Sequence, residues 1–136
     1  MTDAAPGRSM PPTRILVVDD ERRNRDLLEV LLVADGHDVV TASCGEDALA
    51  MLAAEPVDLV LLDVMMPGMD GYQVVSRIRG EQATGHIPVV LISALDDSSS
   101  RAHGLRAGAQ AFVTKPINRA EIAACVRQLL GSGTTR

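Results

Sequence analysis

The stretch LVLLDVMMPGMDGY, residues 59–72, joins a run of apolar side chains to a turn, and it decides the fold. Residues 59–62 are all Leu or Val, a composition that predicts a strand buried on both faces, as in a parallel sheet. Asp63 ends this strand, and Pro67 with Gly68 predicts a turn soon after it. A carboxylate at the end of the most apolar strand needs a partner, which makes Asp63 a candidate functional residue.

The composition indicates one globular domain. The chain has 136 residues, of which 46% are hydrophobic and 23% charged, which is enough to build a core. No apolar run approaches the roughly 20 residues that cross a bilayer, and residues 1–13 do not resemble a secretion signal, so we predict no membrane association and a cytoplasmic location. The net charge of −5, without a Lys/Arg cluster, argues against direct nucleic-acid binding.

The cysteines and histidines are scattered along the sequence. Cys44 and Cys125 stand far apart and outside any paired motif, which predicts two buried, reduced thiols and no disulfide or zinc site. The histidines, His37, His86 and His103, are isolated, and we predict surface or loop positions for them.

Five predicted strands lie between two ends that are predicted to be unstructured. Residues 1–13 carry three prolines and predict a disordered lead-in, and residues 131–136 predict a frayed tail. Between them, short stretches rich in Val, Ile and Leu predict five strands. These are residues 14–19, 37–42, 57–63, 87–93 and 111–115.

Helical spacing separates these strands. Leu27, Val30, Leu31 and Ala34 recur at i, i+3, i+4 and i+7 and are predicted to form the buried face of the first helix, which Gly36 ends. Similar stripes mark the second, third and fifth helices. The fourth helix, predicted over residues 97–108, has a weaker pattern. These stripes are Ala48, Leu49 and Leu52; Val74, Val75 and Ile78; and Ile122, Cys125, Val126, Leu129 and Leu130. The alternation predicts an α/β fold, a doubly wound five-stranded parallel sheet. For this sheet we expect the flavodoxin-like (βα)5 form with strand order 2-1-3-4-5, one of the common orders of such sheets.

Polar residues end four of the predicted strands. Asp19 and Asp20 follow the first, Asp63 the third, Ser93 the fourth and Lys115 the fifth. Ligands of such sheets lie beyond the carboxyl ends of the strands, so the three acids should converge if the first and third strands are neighbours. Because like charges raise one another's pKa, the cluster needs positive charge, which Lys115 and an Mg²⁺ ion would supply.

A carboxylate, Mg²⁺, a hydroxyl and an ammonium together suit phosphoryl transfer. Asp63 would be the nucleophile and form an acyl phosphate, while Lys115 and Ser93 would contact phosphoryl oxygens. Taken singly, each residue also fits a helix cap, a turn or a solvated charge. Asp70, just before Gly71, is predicted to cap the third helix.

Four motifs, ILVVDDE, LLDVMMPGMDGY, VVLISA and AFVTKP, occur in an order and spacing that resemble a known family. Over residues 14–130 the chain is similar to the receiver domain of bacterial two-component response regulators. The resemblance implies that Asp63 accepts a phosphoryl group from the phosphohistidine of a sensor histidine kinase or phosphotransfer protein. It implies that Asp20, Asp63 and the backbone carbonyl of Met65 bind Mg²⁺, with water-mediated help from Asp19, and that Lys115 contacts the phosphoryl group.

The same resemblance implies a conformational switch. Ser93 takes the position of the switch hydroxyl and Phe112 that of the switch aromatic, and the Lys115–Pro116 bond is expected to be cis. Phosphorylation would then change the surface of the fourth helix, fifth strand and fifth helix. A downstream protein, a C-terminal output domain or a second copy in a homodimer would read that surface. Such a receiver catalyses its own phosphorylation and dephosphorylation but is not a turnover enzyme.

Other classes of protein fit less well. A phosphatase resembling the haloacid dehalogenase group needs a second Asp two residues after its nucleophile, where this chain has Met65. A nucleotide- or flavin-binding module needs a Gly-rich loop after the first strand, where this chain has DDERRN.

The first residues, MTDAAPGR, are expected to be a natural start, so a missing part would be C-terminal. MMPGMDGY and ISALDD are similar to receivers that precede diguanylate cyclase domains. In the family that this chain resembles, the positions of Met65 and Leu95 flank the phosphoryl group, and because both side chains are apolar here we predict slow loss of that group.

Overall fold

The computed structural model describes residues 12–95 and 98–131 of the chain. Apart from residues 12, 13 and 131, the predicted lead-in and tail lie outside the described residues, as do Asp96 and Asp97. The elements in chain order are β1 (Arg14–Val18), α1 (Arg22–Ala34), β2 (Asp38–Ala42), α2 (Gly45–Ala54), β3 (Leu59–Asp63), α3 (Gly71–Gly80), β4 (Val89–Ser93), α4 (Ser98–Ala107), β5 (Ala111–Thr114) and α5 (Arg119–Gly131).

All strand pairs are parallel, and the sheet order is β2-β1-β3-β4-β5, which confirms the predicted fold class and strand order. Each observed strand lies within its predicted segment and is one or two residues shorter. The register pairs Val18 with Leu62 and Asp63 with Ile92, so the carboxyl ends of β1, β3 and β4 lie side by side. This edge of the sheet therefore collects the polar residues that follow the strands.

The core has two layers because alternate strand residues point to opposite faces of the sheet. The layer under α2 and α3 includes Leu16, Leu62 and Val74, and the layer under α1 and α5 includes Ile15, Leu61 and Ile122. All five residues of β3 are buried, as its continuous apolar sequence predicted. Burial on both faces makes β3 a rigid support for Asp63 at its end.

The predicted buried face of α1 is wrong. Leu27 and Val30 are 43% and 66% exposed, whereas Leu28 and Leu32 are each 1% exposed and pack against the sheet. Two Leu pairs, 27/31 and 28/32, both satisfy the i, i+4 spacing. The second pair is offset by one residue, so it points ~100° away from the first around the helix. Spacing alone could not choose between them, and the contacts with the sheet select the second pair.

The predicted ends of two helices agree with the structure. Gly36 ends α1 with a φ of +92°, a conformation that glycine adopts without strain. Asp70 is the N-cap of α3, and Asp70 and Gln73 form a reciprocal capping box.

Cys44 and Cys125 are free, as predicted, but both are half-buried, whereas the sequence predicted full burial. Among the described residues, no helix is both long and apolar enough to span a membrane.

Candidate functional site

Three aspartates meet at the carboxyl edge of the sheet. Asp19 and Asp20 follow β1, Asp63 ends the neighbouring strand β3, and one carboxylate oxygen from each lies within 4.8 Å of the others. Asp19 and Asp63 are each 3% exposed, whereas Asp20 is exposed to solvent. The strand order thus brings together the acids that the sequence separates by more than forty residues.

Lys115 approaches this cluster from the other side. Its Nζ lies 3.0 Å from Asp63 Oδ1 and 3.7 Å from Asp19 Oδ2. The backbone N–H of Lys115 donates to the carbonyl of Ser93 at 2.8 Å, and the Lys115–Pro116 peptide is cis. Lys115 therefore forms ion pairs with the two buried acids, one of them two strands away from β5.

Burial and the repulsion between carboxylates shift the pKa values of this cluster. Burial, followed by the charge of Asp19, raises the pKa of Asp63 to about 6 despite the nearby ammonium. Burial likewise raises the pKa of Asp19. For Lys115, burial acts to lower the pKa, but contact with Asp63 and the charge of Asp19 outweigh it and leave the pKa raised. One ammonium therefore does not fully compensate the three carboxylates.

An additional cation fits the remaining charge. Asp63 Oδ1 has Lys115 beside it as an ion-pair partner, yet within residues 12–95 and 98–131 it is the buried side-chain oxygen left without a hydrogen bond. Hard oxygen ligands from two or three carboxylates, one of them open to water, suit Mg²⁺, which retains several waters. The donor set and the uncompensated charge thus fit a magnesium ion beside Asp63.

Backbone contacts hold the loop between β1 and α1. The N–H of Glu21 donates to Asp19 Oδ1 at 2.9 Å, and Arg25 Nη1 donates to the Asp19 carbonyl at 2.7 Å. Both contacts orient Asp19 and the peptide that leads to Asp20. Sequence reasoning missed Arg25, because only the first turn of α1 folding back over the loop brings it to Asp19.

The loop between β3 and α3 depends on a close backbone approach at Gly71. A Cβ there would lie 2.6 Å from the carbonyl oxygen of Asp63 and 2.8 Å from Val64 Cα. The Gly71 N–H donates to the Val64 carbonyl at 2.9 Å. Asp70 caps α3 and is not part of the acidic cluster, as predicted from its position. Met65, two residues after Asp63 in this loop, is 60% exposed.

Ser93 and Phe112 lie between the acidic cluster and α4. Ser93 is fully buried, and its Oγ accepts a hydrogen bond from the N–H of Leu95 at 3.0 Å. Phe112 is half-buried in β5, one strand from Ser93, and the Arg101 guanidinium lies 5.2 Å from its ring centroid. Arg101 was also missed from the sequence, because the weak apolar pattern of α4 did not indicate which face meets β5.

Comparison with known proteins agrees with this arrangement. A family model described as the response regulator receiver domain matches residues 15–127. The response regulator PleD of Caulobacter vibrioides is 52% identical over 116 residues, which are 85% of this chain but only 26% of PleD. The solved structure of the chemotaxis protein CheY4 of Vibrio cholerae has a TM-score of 0.85 at 26% identity, and covers 88% of this chain and 100% of that chain.

A solved complex of CheX and CheY with BeF3 and Mg²⁺ from Borrelia burgdorferi is also similar. Its matching chain has a TM-score of 0.82 at 30% identity, and the match covers 87% of this chain and 89% of that chain. The family match extends over all four polar strand ends, and the sheet has the strand order that the motifs predicted. The chain therefore belongs to the response regulator receiver domain family.

Proposed function

We propose that Asp63 accepts a phosphoryl group from the phosphohistidine of a sensor histidine kinase or phosphotransfer protein. The observation that carries the proposal is the buried Asp63 carboxylate, whose Oδ1 faces Lys115 at 3.0 Å and lies beside two further acids. A purely structural carboxylate at a strand end would be expected to accept ordinary hydrogen bonds, whereas among the described residues the partner of this oxygen is the ammonium of Lys115.

In the proposed reaction, a carboxylate oxygen of Asp63 attacks the phosphorus of the phosphohistidine. The new O–P bond forms as the P–N bond breaks, and the imidazole nitrogen leaves with the electron pair. Lys115 is placed to pair with a phosphoryl oxygen, and its ammonium offsets the charge that arrives with the group. The receiver changes only its own carboxylate, so we propose a self-modifying switch and not a turnover enzyme.

Asp20, Asp63 and the backbone carbonyl of Met65 would hold Mg²⁺, with Asp19 assisting through water. The ion, when bound, neutralises the negative charge that develops on the phosphoryl oxygens. Asp20 suits this role because it is exposed while its two acidic neighbours are buried. Arg25 and Glu21 keep the Asp19 backbone and side chain fixed beside the site.

The signal would leave the site through Ser93 and Phe112. A phosphoryl group on Asp63 offers new acceptor oxygens, to which the Ser93 hydroxyl can donate once it moves away from the Leu95 N–H. That movement frees space for Phe112 and changes the surface of α4, β5 and α5. Phosphorylation thus shifts a population between two arrangements, and a partner protein or a second copy of the chain binds one of them.

The output is proposed to lie in a longer regulator or in a separate partner. The chain spans 26% of the length of PleD, so a receiver of this kind occurs joined to much more protein. An output segment on the same polypeptide, such as a diguanylate cyclase, is therefore one proposed reader of the switch surface, and a separate downstream protein is the other.

Labelling with a small phosphodonor tests the proposal. Incubation with acetyl phosphate and Mg²⁺ should add one phosphoryl group to the wild-type chain, detected by intact mass, and nothing to Asp63→Asn. Asp26→Asn is the matched control, because Asp26 lies on α1 in a solvent-exposed pair with Arg22. Undiminished labelling of Asp63→Asn, or equal labelling with EDTA present, would overturn the proposal.

A further inference from the structure

The helix α4 packs very closely on β4 and β5 at Gly104. A Cβ at this position would lie 2.9 Å from Leu91 Cδ1 and 3.1 Å from Phe112 Cδ2. Glycine is unfavourable inside a helix by about 1 kcal/mol relative to alanine, so its presence there needs a reason. The reason in the structure is space for the Leu91 side chain of β4 and for the Phe112 ring of β5, both of which pack against the helix at this position.

Arg101, one turn before Gly104, closes over the same ring. Its guanidinium carbon is 5.2 Å from the ring centroid, within the range of a cation–π interaction. Arg101 Nη1 donates to the carbonyl of Phe112 at 3.2 Å, and Nη2 donates to Thr114 Oγ1 at 2.8 Å. One side chain of α4 thus contacts the ring, the backbone and a neighbouring side chain of β5.

The strand that Arg101 contacts adjoins the proposed phosphorylation site. In the register of β4 and β5, Thr114 pairs with Ser93, and the next residue, Lys115, contacts Asp63. A change at Ser93 therefore reaches Phe112 and Thr114 across a single strand pair. Arg101 contacts both of them from α4.

The opposite side of α4 is held to α3. The ring of Tyr72, at the start of α3, stacks on His103 with centroids 3.9 Å apart and an interplanar angle of 8°. The Tyr72 hydroxyl also donates to the Ser100 carbonyl at 3.4 Å. These contacts tie α4 to α3 on one side, while Arg101 ties it to Phe112 and Thr114 of β5.

We propose that Arg101 is a brake on the receiver switch, which stabilises the unphosphorylated arrangement by holding Phe112 beneath α4. The proposal rests on the proposed function, because it assumes that phosphorylation of Asp63 displaces Phe112. Phosphorylation would have to break the cation–π contact and disturb two hydrogen bonds. By linkage, any ligand that favours the displaced arrangement binds more weakly while Arg101 is present, and more tightly once it is removed.

The chain offers a specific probe for this test. Phe112 is its sole phenylalanine, so biosynthetic incorporation of 4-fluorophenylalanine gives one ¹⁹F signal that reports the ring. Titrating the wild-type chain with beryllofluoride at saturating Mg²⁺ should move that signal to a second position. In Arg101→Gln the midpoint should fall about three- to tenfold, as expected for losing a cation–π contact and weak hydrogen bonds.

Two further variants sharpen the comparison. Arg106→Gln removes an exposed positive charge from the last turn of the same helix and should leave the midpoint unchanged. Arg101→Lys keeps a cation near the ring but loses the planar, two-point contact, so its midpoint should lie between those of wild type and Arg101→Gln. This variant also serves if Arg101→Gln does not fold.

The outcomes separate the two proposals. A wild-type signal that moves with beryllofluoride, together with unchanged midpoints in Arg101→Gln and Arg101→Lys, would overturn the brake and leave the proposed function intact. A wild-type signal that does not respond to beryllofluoride and Mg²⁺ would overturn the brake and the proposed role of Phe112 in the switch, whereas phosphoryl acceptance by Asp63 is judged separately by labelling with acetyl phosphate. Equal falls in the midpoint for Arg101→Gln and Arg106→Gln would also overturn the brake, because general helix charge would then explain the effect.

Discussion

The ammonium of Lys115 lies 3.0 Å from Asp63 Oδ1, although β4 separates the strands that carry the two residues. This ion pair draws β5 toward the acidic cluster, yet it does not restore an ordinary pKa to Asp63. The folded protein therefore holds more negative charge at this edge of the sheet than its own cation compensates. That excess has consequences for stability, for metal binding and for phosphorylation.

The first prediction concerns pH. The Asp63 pKa is about 6 in the folded chain and about 4 when unfolded, so the folded state binds more protons between these values. Without Mg²⁺, the free energy of unfolding should fall as pH rises from about 4 to about 6, by roughly 2–3 kcal/mol. Asp63→Asn should flatten this fall and be more stable than wild type at pH 7. Urea denaturation at a series of pH values measures both effects.

Asp26→Asn is the control for this pH profile, because its carboxylate is exposed on α1. It should follow the wild-type curve within about 0.5 kcal/mol, as is usual for surface substitutions. An Asp63→Asn profile that falls as steeply as that of wild type would contradict the placement of the excess charge at Asp63.

The second prediction concerns magnesium. A ligand that binds only the folded chain stabilises it, so millimolar Mg²⁺ should raise the melting temperature of the wild-type protein at pH 7. Asp20→Asn should greatly reduce this rise, because it removes the exposed acid of the cluster. Differential scanning fluorimetry with MgCl₂, compared with matched NaCl, measures it. An equal rise in Asp20→Asn would show that the ion binds elsewhere.

The third prediction concerns Gly71. A Cβ there would collide with backbone atoms of Asp63 and Val64, which cannot rotate away as a side-chain end could. Gly71→Ala should therefore cost more than about 2 kcal/mol and weaken Mg²⁺ binding, since the loop after Asp63 must shift. Gly80→Ala, at the last residue of α3, is the matched control, because nothing lies within 4 Å of its Cβ position. Comparable losses in the two variants would refute the role of the close approach.

The sequence predicted the architecture because strands and helices alternate strictly and the strand interiors are continuously apolar. It also located Asp19, Asp63 and Lys115 at strand ends, since parallel strands all finish at one edge. It could not locate Arg25 or Arg101, because their roles depend on how a helix lies over a loop or a neighbouring strand. Contacts of that kind arise only when elements pack, and spacing along one helix does not encode them.

The first helix shows the same limit and supplies the fourth prediction. Leu27 and Leu28 are adjacent and chemically identical, yet Leu27 is 43% exposed and Leu28 is 1% exposed. Leu28→Ala should lower the free energy of unfolding by about 2–4 kcal/mol, as for other buried leucines, and Leu27→Ala by less than about 1 kcal/mol. Denaturation of the two variants side by side measures the difference. A larger loss of stability in Leu27→Ala than in Leu28→Ala would show that Leu27 lies on the buried face of α1, as the spacing suggested.

The fifth prediction concerns how long a phosphoryl group stays on Asp63. Met65 and Leu95, two residues after Asp63 and Ser93 respectively, are 60% and 40% exposed, and their apolar side chains can neither orient nor deprotonate an attacking water. We therefore expect slow hydrolysis in the wild-type chain and loss about tenfold faster or more in Met65→Glu, because a positioned base assists proton transfer. Intact mass followed over time after removal of acetyl phosphate measures the rate, with Leu105→Glu, an exposed site on α4, as control. Hydrolysis within seconds in the wild-type chain, or equal rates in wild type and Met65→Glu, would contradict the idea that the apolar side chains at these two positions prolong the phosphorylated state.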